Sequence, residues 1–231
     1  PARRDHAGAW IAGPPRDTNR PHASMALEVV YSRIILVRHG HYERIGDQGD
    51  TVWGLTALGR RQAVRTGRRL AQLLDAAQGK FEGLFSSPWP RALQTAEIAA
   101  HELHIDRIKV KPYLHEVLPI IDADRVAEFG VHPGLPFTTA EERAVTVKQI
   151  EKVRERFFRA PRQTSVSVIF THGNLIRYLV THALRLPYEA WSRFDCSHCG
   201  ITELRVYPEE FEALINYNDT GHLPPSLITT A

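Results

Sequence analysis

Two histidines and two arginines fall in three short segments whose pattern would let them meet. The segments are Val37-Arg38-His39-Gly40, Phe85-Ser86-Ser87-Pro88-Trp89-Pro90-Arg91-Ala92 and Phe170-Thr171-His172-Gly173-Asn174. Each reads as a strand end followed by a polar turn, and ligands in open α/β sheets bind at that rim. The chemistry such a set suits is attack on a phosphate ester. A phosphate dianion repels nucleophiles until its oxygens are neutralised, and Arg38 and Arg91 offer charge-assisted, fork-shaped hydrogen bonds for that purpose. Backbone amides opening a helix after His172 add positive potential. His39 is the candidate nucleophile: a neutral imidazole attacks from one nitrogen when the other donates to a carbonyl. His172 is expected to stay protonated beside the phosphate. The leaving alkoxide needs a proton, and Glu116, in Leu114-His115-Glu116-Val117, is the expected donor. A raised carboxyl pKa would suit that role. Asp122, Asp124 and Glu43 are the next candidates.

These residues need a scaffold, and the chain from residue 29 supplies one. Strand-like and helix-like segments alternate, the pattern of an α/β fold around a mostly parallel sheet. Strands are expected at 33–37, 83–85, 108–110 and 165–170. Thr56 can cap a helix running to about residue 74, with Leu58, Ala63, Leu70, Leu73 and Leu74 near one face. Pro90 fits the first turn of a helix ending near 101. Further helices are expected at 141–158 and 173–184, and strands at 201–206 and 211–217 read as a hairpin. Residues 112–140 lack periodicity and hold four prolines, so a long excursion over the sheet, roofing the pocket, is expected there.

Composition removes several classes. Hydrophobic residues make up 43% and charged residues 24% of the 231, so the chain is globular. No uninterrupted apolar run exceeds four residues, too short to span a membrane as a helix. Cys196 and Cys199 are too few for a disulfide-stapled scaffold, which favours a reducing compartment and a cytoplasmic location. The net charge of +3 does not by itself imply nucleic acid, and no nucleic-acid partner is expected. Residues 1–28, rich in proline and arginine and without periodicity, read as a flexible leader; residues 29–231 form the domain. Met25, the sole methionine, is a candidate start, with residues 1–24 then an upstream extension.

Other motifs have plainer readings. Cys196-Ser-His-Cys199 is one pair where a structural zinc site needs four ligands, so a thiol pair without metal is expected. His101-Glu-Leu-His104 is one residue short of the i, i+4 histidines of a zinc helix. No metal or other cofactor is expected. Arg60, Arg61, Arg65, Arg68 and Arg69 form a basic stripe, a solvated face by default and a docking face for an acidic partner or nucleic acid otherwise.

Taken together, Val37-Arg38-His39-Gly40, the Ser-Ser-x-x-Arg-Ala-x-x-Thr pattern from Ser86 to Thr95 and Thr171-His172-Gly173 resemble the histidine phosphatase superfamily over roughly residues 32–228. A narrower resemblance, to serine/threonine protein phosphatases of the phosphoglycerate mutase family member five type, rests on further segments. They are Leu55-Thr-Ala-Leu-Gly59, Asn174-Leu-Ile-Arg-Tyr178, Gly200-Ile-Thr202 and Asp219-Thr-Gly-His-Leu-Pro-Pro225. The resemblance implies a phosphoglycerate-mutase-like three-layer sandwich with helices on both faces of the sheet. It also implies a phosphohistidine intermediate on His39, phosphate contacts from Arg38, Arg91 and His172, an acid at Glu116, a homodimer, and a mitochondrial alternative for location. His41-Tyr42-Glu43 replaces the continuation found in true mutases, so hydrolysis rather than mutase activity is expected. The expected substrate is a phosphoserine/phosphothreonine protein, the alternative a small phosphate ester. A catalytically silent phospho-ligand module is the competing class.

Overall fold

The computed structural model describes residues 29–44, 46, 49, 51–77, 79–125 and 136–230, with a two-residue pairing of Arg3–Arg4 against Trp10–Ile11. The rest of the expected leader, Met25 and the middle of the expected pocket roof lie outside the described residues.

Six strands form the sheet: β1 (Ser32–Arg38), β2 (Lys80–Ser86), β3 (Ile108–Val110), β4 (Ser165–Thr171), β5 (Ile201–Val206) and β6 (Glu212–Asp219). Their spatial order is β3-β2-β4-β1-β5-β6. The first four are parallel, and β5 and β6 complete the sheet antiparallel. The helices are α1 (Ala57–Asp75), α2 (Pro90–Glu102), α3 (Ala140–Phe157) and α4 (Gly173–Ala183). The fold is α/β with a mostly parallel sheet, as the alternation of segments predicts.

Side-chain alternation along the strands builds two cores. Ile35, Val37, Leu84 and Val168 face Leu70 of α1 and Ala96 and Ala99 of α2. Ile34, Leu36, Phe85 and Ile169 face Ile150 and Val153 of α3 and Leu175 and Leu179 of α4. Helices therefore cover both faces, giving three layers. The helix starts are chemically specified: the Thr56 hydroxyl accepts from Gly59 N at 3.2 Å, and Thr139 and Glu142 form a reciprocal capping box.

The excursion after β3 is more deeply embedded than its lack of period predicts. Leu114, Val117, Ile120 and Ile121 are buried in the α3/α4 layer. Trp191 Nε1 donates to Ile120 O at 2.8 Å, so long-range bonds replace regular secondary structure there. Elsewhere differences are confined to element ends: β2 begins at Lys80 rather than 83, and β6 runs Glu212–Asp219.

Candidate active site

Parallel pairing puts the C-terminal ends of β1, β4 and β2 on one rim. The ladder aligns Arg38 with Thr171 and Ser86 with Phe170. Two bonds extend it past the strands: His39 N donates to Thr171 O at 2.9 Å and Ser87 N to Phe170 O at 3.0 Å. His39, Ser87 and His172 therefore leave the sheet side by side. Arg91 joins them from the first turn of α2. Thr95 ties that helix to the segment after β1, accepting from Gly40 N at 2.9 Å and donating to Arg91 O at 2.6 Å.

The structure brings together the four residues singled out first. Arg38, His39, Arg91 and His172 are each at most 5% exposed, so their charges interact in low dielectric. His39 Nδ1 lies 2.9 Å from Gly40 O and donates to it. That fixes the tautomer and leaves the lone pair on Nε2. Arg91 Nε donates to His39 Nε2 at 3.2 Å, and the His172 ring centroid is 5.1 Å from that of His39.

Burial, then the charges of His172, Arg38 and Arg91, push the His39 pKa well below the ordinary imidazole value. These surroundings favour the neutral imidazole at His39. His172 is also pushed well down, by burial and then by Arg91 and Arg38. The protonated form expected for His172 is thus disfavoured by its protein surroundings, and an anionic ligand's charge would oppose those of the arginines. Arg38 donates to Cys196 O, while its Nε, like His172 Nδ1, is buried without a hydrogen-bond partner. Unpartnered buried groups at a cationic rim fit an anionic ligand. A Cβ at Gly173 would sit 3.3 Å from Arg38 Nε, so glycine there lets the guanidinium cross the start of α4.

Glu116 docks on the same helix start. Its Oε1 accepts from Val117 N at 3.1 Å and Leu175 N at 3.2 Å, and Oε2 from Asn174 N at 3.3 Å. Burial outweighs those bonds and the charge of Arg38, and the Glu116 pKa is raised. Among the other carboxyls considered, Asp122 accepts from Asp124 N at 2.9 Å in a local turn, and Glu43 lines a neighbouring cleft.

Sequence reasoning missed the supports of this cluster. The Arg91 guanidinium carbon lies 4.6 Å from the ring centroids of both Tyr42 and Trp89. The same rings meet the imidazoles edge-on, Tyr42 to His39 at 5.1 Å and Trp89 to His172 at 4.9 Å. Ser87 Oγ is 2.8 Å from His172 Nε2. The Cys196–Cys199 turn braces the site through its backbone. The Cys196 carbonyl accepts from the Arg38 guanidinium, and Cys199 N donates to Arg38 O at 3.1 Å. Both thiols are free and buried. Cys196 packs in the α3/α4 core and Cys199 against Leu223 and Leu227.

Comparison with known proteins identifies the family of the chain. The family described as histidine phosphatase superfamily (branch 1) matches residues 34–220. The chain is 34% identical over 223 residues to a Drosophila virilis protein named serine/threonine-protein phosphatase Pgam5, mitochondrial, covering 93% of this chain and 73% of that one. A Drosophila persimilis protein of the same name is 36% identical over 202 residues, covering 85% of this chain and 66% of that one. Among solved structures, phosphoglycerate mutase from Plasmodium falciparum superposes with TM-score 0.56 at 26% identity, over 84% of this chain and 95% of that one. Phosphoserine phosphatase from Entamoeba histolytica shares the fold, with TM-score 0.59 at 22% identity over 84% of this chain and 100% of that one. The chain belongs to the histidine phosphatase superfamily, branch 1.

Proposed function

We propose that this phosphatase hydrolyses phosphate monoesters through a phosphorylated His39, with phosphoserine and phosphothreonine in proteins as substrates. The observation that carries the reading is the fixed His39 tautomer, Nδ1 bonded to Gly40 O with Nε2 facing Arg91. In the first step Nε2 bonds to phosphorus as the ester P–O bond breaks, and Glu116 passes its proton to the departing alkoxide. In the second, Glu116 as carboxylate takes a proton from water, whose oxygen bonds to phosphorus while the P–N bond to His39 breaks. Arg38, Arg91 and protonated His172 hold the equatorial oxygens throughout. None of these steps draws on a metal.

The names of the Drosophila relatives support a protein substrate. A small phosphate ester is the alternative. Phosphate release from a phosphoserine/phosphothreonine peptide panel and a phosphometabolite panel, each with EDTA, separates them. Preference for metabolites would refute the protein reading; release from neither would favour the binding module. The relatives' names also favour mitochondria over cytoplasm, since two free thiols suit any reducing compartment. Cell fractionation tests that choice.

A further inference from the structure

The surface beside the catalytic cluster continues in one direction. A cleft of about 740 Å³ opens next to it, lined by His41, Glu43, Val52, Trp53, Leu55 and Leu58 among others. Tyr42, which packs on Arg91, bridges to Leu55 and stacks on Trp53 with centroids 6.3 Å apart, so the cleft adjoins the reacting centre. Its lining is mixed, with the apolar side chains of Val52, Leu55 and Leu58 beside polar His41 and Glu43, and Val52 is 48% exposed there.

Ala57 and Leu58 of this cleft open α1, and the exposed face of that helix carries Arg61, Arg65, Arg68 and Arg69 onward from them. The spacing puts these on one stripe. Arg60, Arg61 and Arg65 have no ion-pair partner among the described residues, whereas Arg68 pairs with Glu102 and Arg69 with Asp219. The one acidic residue of α1 is Asp75, its last. Arg61, Arg65, Arg68 and Arg69 lie beyond the first turn of α1, where the helix dipole neither favours nor opposes them. The stripe ends in a second cleft, about 460 Å³, between Arg65, Arg68, Arg69, Asp219 and His222.

We propose that the cleft lined by Val52, Leu55 and Leu58 and the α1 arginine stripe form one docking track for the chain flanking the phosphorylated residue of a protein substrate. An apolar side chain next to the phosphoresidue fills the first cleft, where Glu43 disfavours an acidic one. Acidic or phosphorylated residues follow along the stripe. From Ala57 to Arg68 is about 16 Å at the helical rise, roughly five residues of extended chain. The track rests on the phosphoprotein reading and adds its sequence preference. Charge complementarity and continuity with the catalytic centre select a polypeptide flank as the occupant.

The test uses the full chain, two phosphothreonine peptides and a small aryl phosphate. One peptide has an apolar residue beside the phosphothreonine and then five acidic residues; in the other, amides replace the acids. At low salt, kcat/KM for the acidic peptide should exceed that for the neutral one by about tenfold or more, and the advantage should vanish at high salt. The Arg61→Ala/Arg65→Ala double variant should raise KM for the acidic peptide to near that of the neutral one, with kcat kept. The loss should be confined to that peptide and spare the aryl phosphate.

Equal kcat/KM for the two peptides, or no effect of the double variant, overturns the track while leaving the phosphoprotein reading intact. Turnover of the aryl phosphate with neither peptide cleaved overturns the phosphoprotein reading. In that event, fluorescence anisotropy of both labelled peptides still decides the track: arginine-dependent preference for the acidic one supports it, equal binding refutes it. Displacement of the acidic peptide by a DNA oligonucleotide at far lower concentration than by polyglutamate would reassign the stripe to nucleic acid and refute it too.

Discussion

Arg91 Nε lies 3.2 Å from His39 Nε2, the ring nitrogen left with its lone pair by the Nδ1 bond to Gly40 O. One guanidinium thus aims the attacking atom and, by the proposed mechanism, neutralises the group attacked. Arg91→Ala should lower kcat by roughly 10²–10³, the usual worth of a charge-stabilising donor. Arg91→Lys should recover little, because an ammonium point charge has no Nε at that place. Steady-state kinetics on any accepted substrate checks both.

The aromatic clamp on Arg91 makes a graded prediction. With the guanidinium carbon 4.6 Å from both ring centroids, losing either face should cost about 0.5–2 kcal/mol, or roughly 2- to 30-fold in kcat/KM. Tyr42→Ala and Trp89→Ala should show that loss, and Tyr42→Phe should be close to wild type. An equal loss in Tyr42→Phe would mean the hydroxyl, not the ring face, matters.

Opposite pKa shifts set the pH profile. His39 is pushed down by burial and neighbouring charge and, in the proposed mechanism, must be neutral to attack, so its acid limb should fall below the ordinary imidazole range. Glu116 is pushed up by burial and must be protonated to act as acid, so activity is lost as pH rises through its raised pKa. The free-enzyme profile of kcat/KM should therefore be bell-shaped, with His39 setting the acid limb and Glu116 the alkaline limb. Glu116→Gln should remove the alkaline limb and lower kcat by about 10²–10⁴ on poor leaving groups. An unchanged alkaline limb would assign the acid elsewhere.

Gly40 and Gly59 set how closely the His39 loop approaches α1. A Cβ at Gly40 would fall 2.7 Å from Gly59 O, and one at Gly59 would fall 2.1 Å from His41 O. Gly40→Ala should destabilise the fold by about 1–3 kcal/mol and displace His39. Chemical denaturation read beside kcat separates the two effects.

The sequence carries much of this site because its pieces lie at strand ends. Arg38, His39 and His172 follow β-branched runs, and Arg91 follows a proline that starts a helix, so local pattern alone places them on one rim. What holds them in position is non-local. Tyr42 meets Arg91 across 49 residues, and the Cys196 carbonyl reaches Arg38 across 158; neither contact leaves a local trace. The Cys-Ser-His-Cys pattern invites metal or redox readings, yet the structure uses its backbone. The excursion after β3 looks irregular because Glu116, Ile120 and Trp191 satisfy their polar groups through distant partners.

Trapping the phosphoenzyme is the decisive measurement for a covalent intermediate on His39. Brief reaction with a ³²P-labelled substrate, followed by alkaline quench and peptide mapping, should put an acid-labile, alkali-stable phosphate on the peptide containing His39. His39→Ala should show neither label nor turnover, with EDTA making no difference to the wild type. Turnover retained in His39→Ala, or label on another residue, would refute His39 as the nucleophile.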